Sequence, residues 1–192
     1  KGHHFPSVTL VAVLDADAGL FSADFRGQEH TAQLLMQVAG RSGRAGTAGE
    51  VLIQTRHAKH ETLQSLVNED YGHFARHLLQ ERHAAQMPPF TYLALLRAEA
   101  INVQAPEAFL RIVQQMATRI AQAQGNTDIV LMGPIPAPME RRNGKFRSQL
   151  LLQASARSKL QQLLSQLCPE IETLKEARNV RWSIDVDPQD MI

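Results

Sequence analysis

At 192 residues, with 44 % hydrophobic and 20 % charged side chains, the chain is long enough for one large or two small domains, each able to bury a core. A formal net charge of +1 excludes a polyanion partner gripped by bulk charge, so any nucleic-acid contact has to come from local patches. No apolar run approaches the roughly 20 residues of a membrane span, no signal peptide is seen, and the single Cys168 excludes an intrachain disulfide. The expectation is a reducing, cytoplasmic setting with no membrane partner. The chain begins at Lys1, on a motif rather than on methionine, which fits a piece of something longer.

Lys1-Gly2-His3-His4-Phe5-Pro6 reads as a short loop: Gly2 permits close backbone approach and Pro6 stops a helix from forming. Two adjacent histidines are equally at home in a solvated loop. Residues 8–14 (VTLVAVL) are almost continuously apolar and end in Asp15-Ala16-Asp17. That pattern predicts a central parallel strand buried on both faces, with acidic residues at its carboxyl end, where such strands bind ligands. After a connection around Phe21 and Phe25, a helix from about Gln28 is predicted to place Leu34, Leu35 and Val38 on one face, with Gln37 and Arg41 four apart on a neighbouring one.

Gln37-Val38-Ala39-Gly40-Arg41-Ser42-Gly43-Arg44-Ala45-Gly46 closes that helix with two arginines three apart before a glycine-rich turn. Guanidinium stays charged and forks onto phosphate oxygens, so the arrangement suits a phosphate. An ordinary helix C-terminus also favours arginine and glycine, for reasons of dipole and termination. Residues 50–55 (EVLIQT) then read as a strand, completing a parallel strand-helix-strand unit.

Residues 61–67 and 71–85 are predicted helical, the second with Tyr71, Phe74 and Leu78 at core spacing. His73 and His77 stand i, i+4, but no third metal ligand is evident and no metal is expected. Met87-Pro88-Pro89-Phe90 halts the helix, which puts a domain boundary there, giving domains 1–86 and 87–192.

In the second domain, residues 91–99 read as a strand and 106–124 as a helix with Phe109, Ile112, Val113, Met116 and Ile120 on one face. Residues 129–132 make a short strand, which Pro134, Pro136 and Pro138 should keep from continuing as a regular ladder. Asn143-Gly144 is the strongest short signal for a type I′ hairpin. Leu160, Leu163, Leu164, Leu167 and Ile171 mark a helix, broken or kinked at Pro169, and residues 180–187 alternate as a last strand. In order this is β-α-β-β-α-β, the ferredoxin-like split unit, so the fold class is α/β followed by α+β. Arg141, Arg142, Lys145 and Arg147 put four cations within seven positions at the hairpin tip. Such a tip can sit on a phosphate backbone, or it can be a solvated turn.

The pattern Q-x-x-G-R-x-x-R at Gln37, Gly40, Arg41 and Arg44 resembles motif VI of superfamily-two helicases, and specifically the PriA family (primosomal protein N′) of replication-restart helicases. MPPF, GPIPAP with the basic hairpin, and WSIDVDP extend the likeness over essentially the whole chain. The resemblance implies that the first domain is the closing part of a RecA-like second lobe. Lys1 to Pro6 is similar to motif V, which places Gly2 at the nucleotide and Lys1, His3 and His4 at the DNA backbone. It also implies that Arg41 and Arg44 reach a nucleotide γ-phosphate across an interlobe cleft, with Gly40 beside them and Gln37 coupling that site to DNA. For the second domain it implies contact with branched DNA, and a pocket at Arg157 and Gln161 for the acidic tail of single-strand-binding protein; other primosome proteins are further partners. The family uses ATP, magnesium and zinc, but no G-x-x-x-x-G-K-[ST] occurs here and one cysteine makes no zinc site, so no cofactor is expected on this portion alone. A stand-alone module binding nucleic acid or an acidic peptide, without nucleotide chemistry, is the alternative.

Overall fold

The computed structural model describes residues 9–22, 24–39, 50–68 and 71–191. The chain divides into two compact α/β units, one up to Glu81 and one from Arg82.

In the first unit, β1 (Leu10–Val13) runs parallel to β2 (Glu50–Ile53), in register from Leu10 opposite Glu50 to Val13 opposite Ile53. Between them come α1 (Asp17–Leu20) and α2 (Gly27–Ala39); after them come α3 (Glu61–Asn68) and α4 (Tyr71–Ala84). The expected strand buried on both faces is buried on one. Val13 and Ile53 pack toward Leu20, Leu35 and Leu63, whereas Leu10 is 52 % and Leu52 49 % exposed. The physical reason is that the faces of a parallel sheet are covered by helices, and among the described residues the helix side chains Leu20, Leu35 and Leu63 pack over the Val13 and Ile53 face alone.

The buried stripe of α2 is also narrower than its apolar content suggests. Ala32 packs with Phe74 and Leu78, and Leu35 with Leu20 and Leu63. Leu34, expected beside Leu35, is 54 % exposed because adjacent helical positions lie about 100° apart. Close approach of α1 to α2 depends on Gly19, where an added Cβ would fall 1.9 Å from Thr31 Oγ1. That hydroxyl already donates to the Gly27 carbonyl at 2.8 Å.

The second unit is an antiparallel sheet in the order β4-β5-β3-β6. Its elements are β3 (Tyr92–Ala100), α5 (Ala105–Ala123), β4 (Val130–Arg142), β5 (Lys145–Ala154), α6 (Arg157–Thr173), a 3₁₀ turn at Glu176–Asn179, and β6 (Arg181–Val186). Period-two alternation sends Ala94, Leu96 and Ala98 of β3 and Leu150, Leu152 and Ala154 of β5 into one core. There they meet Phe109, Val113 and Ile120 of α5, and Leu160, Leu163, Leu164, Leu167 and Ile171 of α6. Full burial of each such leucine or phenylalanine contributes about 1.5–3 kcal/mol, which makes this core the main store of stability in the unit.

Two expectations need correction. The strand expected to end at Met132 runs on to Arg142, with register shifts between Met132 and Ile135 and between Pro136 and Arg141. As an edge strand, β4 tolerates prolines by losing pairing locally instead of terminating. Likewise α6 passes unbroken through Pro169, with Leu167 and Ile171 buried on either side of it. The hairpin behaves as its sequence requires: Asn143 (φ 51°) and Gly144 (φ 79°) are both left-handed between the paired Arg142 and Lys145. Among the described residues, no helix is long and apolar enough to cross a membrane.

Candidate nucleic-acid interface

The β4–β5 hairpin carries Arg141 and Arg142 up one strand and Lys145 and Arg147 down the other. Alternation turns Arg97 and Glu99 of β3 away from the α5–α6 core, and strand register then sets Glu99 opposite Arg147 in β5 and opposite Arg181 in β6. Lys145 Nζ donates to Glu99 Oε1 at 3.0 Å, and Arg181 Nη1 lies 3.7 Å from the same oxygen. Arg97 Nη1 donates to Asp185 Oδ2 at 3.2 Å. Around them opens a hollow of about 360 Å³, lined by Arg97, Glu99, Arg142, Lys145, Arg147 and Arg181, with Asn143, Trp182 and Ser183 at its margins. Five cations thus surround one carboxylate.

That carboxylate is held ionised. The Lys145 hydrogen bond pushes the Glu99 carboxyl below its ordinary range, and the charges of Lys145, Arg181 and Arg147 act in the same direction against the cost of burial. Arg147 Nη1 reaches the Met139 carbonyl at 3.4 Å, and the Arg141 guanidinium lies 5.3 Å from the Phe146 ring centroid. Among the described residues, no ion pair engages Arg141 or Arg142, and both are exposed. Two outward guanidinium groups above a basic hollow present donors where the oxygens of a polyphosphate backbone could settle.

Arg97, Glu99 and Arg181 are absent from the residues singled out in the sequence. Their signal was the odd-numbered charge pair in an otherwise apolar β3 and the polar side of β6. What brings them to the hairpin is the strand order, which no local pattern encodes.

The other expected positions lie elsewhere. Arg157 opens α6; its Nη2 donates to Asp187 Oδ2 at 2.7 Å, and its guanidinium stands 5.4 Å from the Tyr92 centroid. Gln161 follows one turn later on the same helix and is exposed. Gln37 is exposed on α2. Lys1, Gly2, His3, His4, Gly40, Arg41 and Arg44 lie outside the described residues.

At the carboxyl ends of β1 and β2, a second opening of about 560 Å³ is lined by Asp15, Asp17, Gln54, Thr55, Arg56 and His57. Asp17 is already engaged there: Thr55 Oγ1 donates to its Oδ1 at 2.5 Å and the Arg56 amide to its Oδ2 at 2.9 Å. The Thr55 hydrogen bond, then that of Arg56, lowers its pKa. His77, on α4, stands 3.4 Å from Glu81 and 3.9 Å from Glu61. Cys168 is half-buried on α6, and burial pushes its thiol pKa up.

Residues 83–189, which contain the whole four-stranded sheet and both its helices, match the family described as Primosomal protein N C-terminal domain. The chain belongs to the PriA family. The Replication restart protein PriA of Haemophilus influenzae is 43 % identical over 191 residues, covering all of this chain and 25 % of that protein. The PriA of Bacillus subtilis is 34 % identical over 192 residues, again the whole chain and 23 % of the relative. The PriA of Rickettsia typhi is 33 % identical over 189 residues, 98 % of the chain and 28 % of the relative. The chain therefore spans about a quarter of the length of the curated PriA relatives it matches.

Proposed function

We propose that this chain is the carboxyl-terminal portion of an ATP-dependent 3′ to 5′ DNA helicase that recognises stalled or branched forks and starts primosome assembly for replication restart. Its second unit is read as a ferredoxin-like βαββαβ module that holds DNA by the phosphate backbone. The observation that carries this reading is the hairpin and hollow in which Arg97, Arg142, Lys145, Arg147 and Arg181 face one carboxylate. Exposed guanidinium and ammonium groups without base-edge geometry favour positioning on phosphates over reading of sequence. The test is DNA affinity of the Arg141→Ala, Arg142→Ala, Lys145→Ala triple variant measured on unrelated sequences. A loss of about tenfold or more, equal on all of them, is expected; full retention of affinity would refute it.

The first unit is read as the closing part of a RecA-like second lobe. In the intact protein Arg41 and Arg44 meet the nucleotide γ-phosphate, Gly2 and Gly40 let the backbone approach it, Gln37 couples it to DNA, and Lys1, His3 and His4 touch the DNA backbone. No phosphate-cradling loop occurs in this chain, so ATP and magnesium would have to be held by another part of the parent. The residues here do not fit zinc either: there is one cysteine, and no group of three His, Cys, Asp or Glu among the described residues could hold a metal. Arg44→Ala in the full-length protein is expected to abolish DNA-dependent ATP hydrolysis and leave DNA binding nearly intact. Undiminished turnover would end the assignment of Arg44 to the γ-phosphate. Arg157 and Gln161 are proposed to receive the acidic tail of single-strand-binding protein.

A further inference from the structure

We propose that Glu99 acts as a resident counter-anion in the hollow of the second unit, occupying the place of a DNA phosphate until DNA arrives, and that Arg181 is a binding residue for that phosphate alongside Lys145. This rests on the reading of the second unit as a backbone-binding module.

The geometry has three parts. One carboxylate oxygen, Glu99 Oε1, draws both Lys145 Nζ (3.0 Å) and Arg181 Nη1 (3.7 Å) to itself, although the two come from different strands on opposite sides of β3. The Arg181 arm is exposed and adds little stability, so its place beside the part-buried Lys145–Glu99 pair need not be explained by folding alone. Next, the side chains are unequally anchored. Arg181 is 81 % exposed and at the far edge of its distance range, which leaves its fork of donors open toward the hollow. Finally, the charges do not balance: Glu99 is the single carboxylate in the lining against five cations, and with Asp185 paired to Arg97 the hollow keeps a surplus of three positive charges over about 360 Å³. Arg97 does not add to this surplus, since Asp185 accepts from its Nη1 and the Asp190 carbonyl from its Nη2.

A phosphodiester entering such a site takes over the donors that Glu99 holds. Lys145 and Arg181 turn from the carboxylate to phosphate oxygens, and Glu99 is left as the one like charge facing the ligand. In the free protein the carboxylate keeps both cations converged on one point, so they are already gathered when DNA arrives. It also weakens non-specific capture of anions by opposing each of them. Selectivity for a polymer follows, because an isolated phosphate ion in the hollow cannot also engage Arg141, which lies outside its lining at the hairpin tip.

The experiment is fluorescence anisotropy with labelled forked DNA on the full chain and three single variants, with thermal midpoints recorded to confirm folding. Glu99→Gln is expected to tighten binding by about fivefold, the factor of one unit charge at about 4 Å in bulk water, with a steeper salt slope. Arg181→Ala is expected to weaken binding and reduce the salt slope by about one. Arg119→Ala removes a cation paired with Glu170 between α5 and α6, outside the hollow, and should leave affinity unchanged. If Glu99→Gln binds no more tightly while the hairpin triple variant still loses affinity, the counter-anion proposal fails and the backbone-binding module stands. If the triple variant binds like the parent, both fall. If Arg119→Ala weakens binding as much as Arg181→Ala, bulk charge explains the effect and the hollow is not the site. Inorganic phosphate, balanced against chloride for ionic strength, separates a free ion from a polymer: displacement of DNA by phosphate alone would overturn the assignment.

Discussion

Arg157 and Asp187 are joined across the start of α6 and the end of β6 by a 2.7 Å hydrogen bond between Nη2 and Oδ2, with the guanidinium 5.4 Å from the Tyr92 ring centroid. A residue proposed to receive an acidic peptide is therefore already bound to a carboxylate of its own chain. Asp187 has a positive φ of 53°, which asparagine tolerates and alanine does not. Asp187→Asn should thus remove the competing charge from Arg157 without backbone strain and raise affinity for a synthetic acidic peptide by about 1.4- to fivefold, matching the about 0.2–1 kcal/mol of an exposed pair. Calorimetric titration of the peptide checks this; lower affinity in the variant would show that Asp187 orients Arg157 and does not compete for it.

The hairpin tip tests backbone chemistry alone. Gly144 has φ 79°, and an added Cβ there would meet nothing within 4 Å. Gly144→Ala is therefore expected to cost about 1–2 kcal/mol from left-handed geometry, without any clash. A urea titration of the chain reads the loss, and DNA affinity should fall with it as the cations lose their register.

Core and surface leucines should separate cleanly. Leu163 is fully buried among α5, α6 and the sheet, so Leu163→Ala should destabilise the second unit by about 2–5 kcal/mol. Leu10, 52 % exposed on β1, should cost far less, within about 0.5–1 kcal/mol. Chemical denaturation followed at Trp182, which packs against the second core, reports on the first of these.

Asp128 sets an acid limb. The Ser155 hydroxyl and, after it, Lys159 Nζ at 2.9 Å hold its carboxyl down to about 2 from an ordinary 3.8. A carboxyl depressed in the folded state contributes stability that is complete above its unfolded value and is lost as pH falls toward the folded one. The window is therefore pH 4 to 2. Asp128→Asn should flatten the stability profile in that window and leave its shape at neutral pH unchanged, as read from denaturation midpoints against pH.

How much of this was legible beforehand depends on the range of the signal. Leu160, Leu163, Leu164, Leu167 and Ile171 announce α6 by spacing, and Asn143-Gly144 announces its turn, because both signals are local. Pro169 misleads because tertiary packing of Leu167 and Ile171 outweighs one missing helix hydrogen bond. The apolar run before Asp15 reads as a doubly buried strand, but burial of each face depends on which helices pack over it, and that is set by tertiary structure. Arg181 could be read as an outward residue of β6. Its meeting with Glu99 and Lys145 follows only from β3 lying between β5 and β6, a pairing across some eighty residues that no window reveals.

The most direct measurement is the salt dependence of DNA affinity for the chain and for its Arg141→Ala, Arg142→Ala, Lys145→Ala variant. Each cation that neutralises a phosphate adds about 0.9 to the slope of log affinity against log salt on duplex DNA, so the variant should lose about two to three units of slope. An identical slope in the two proteins would contradict the account, leaving the hairpin a solvated turn with no phosphate on it.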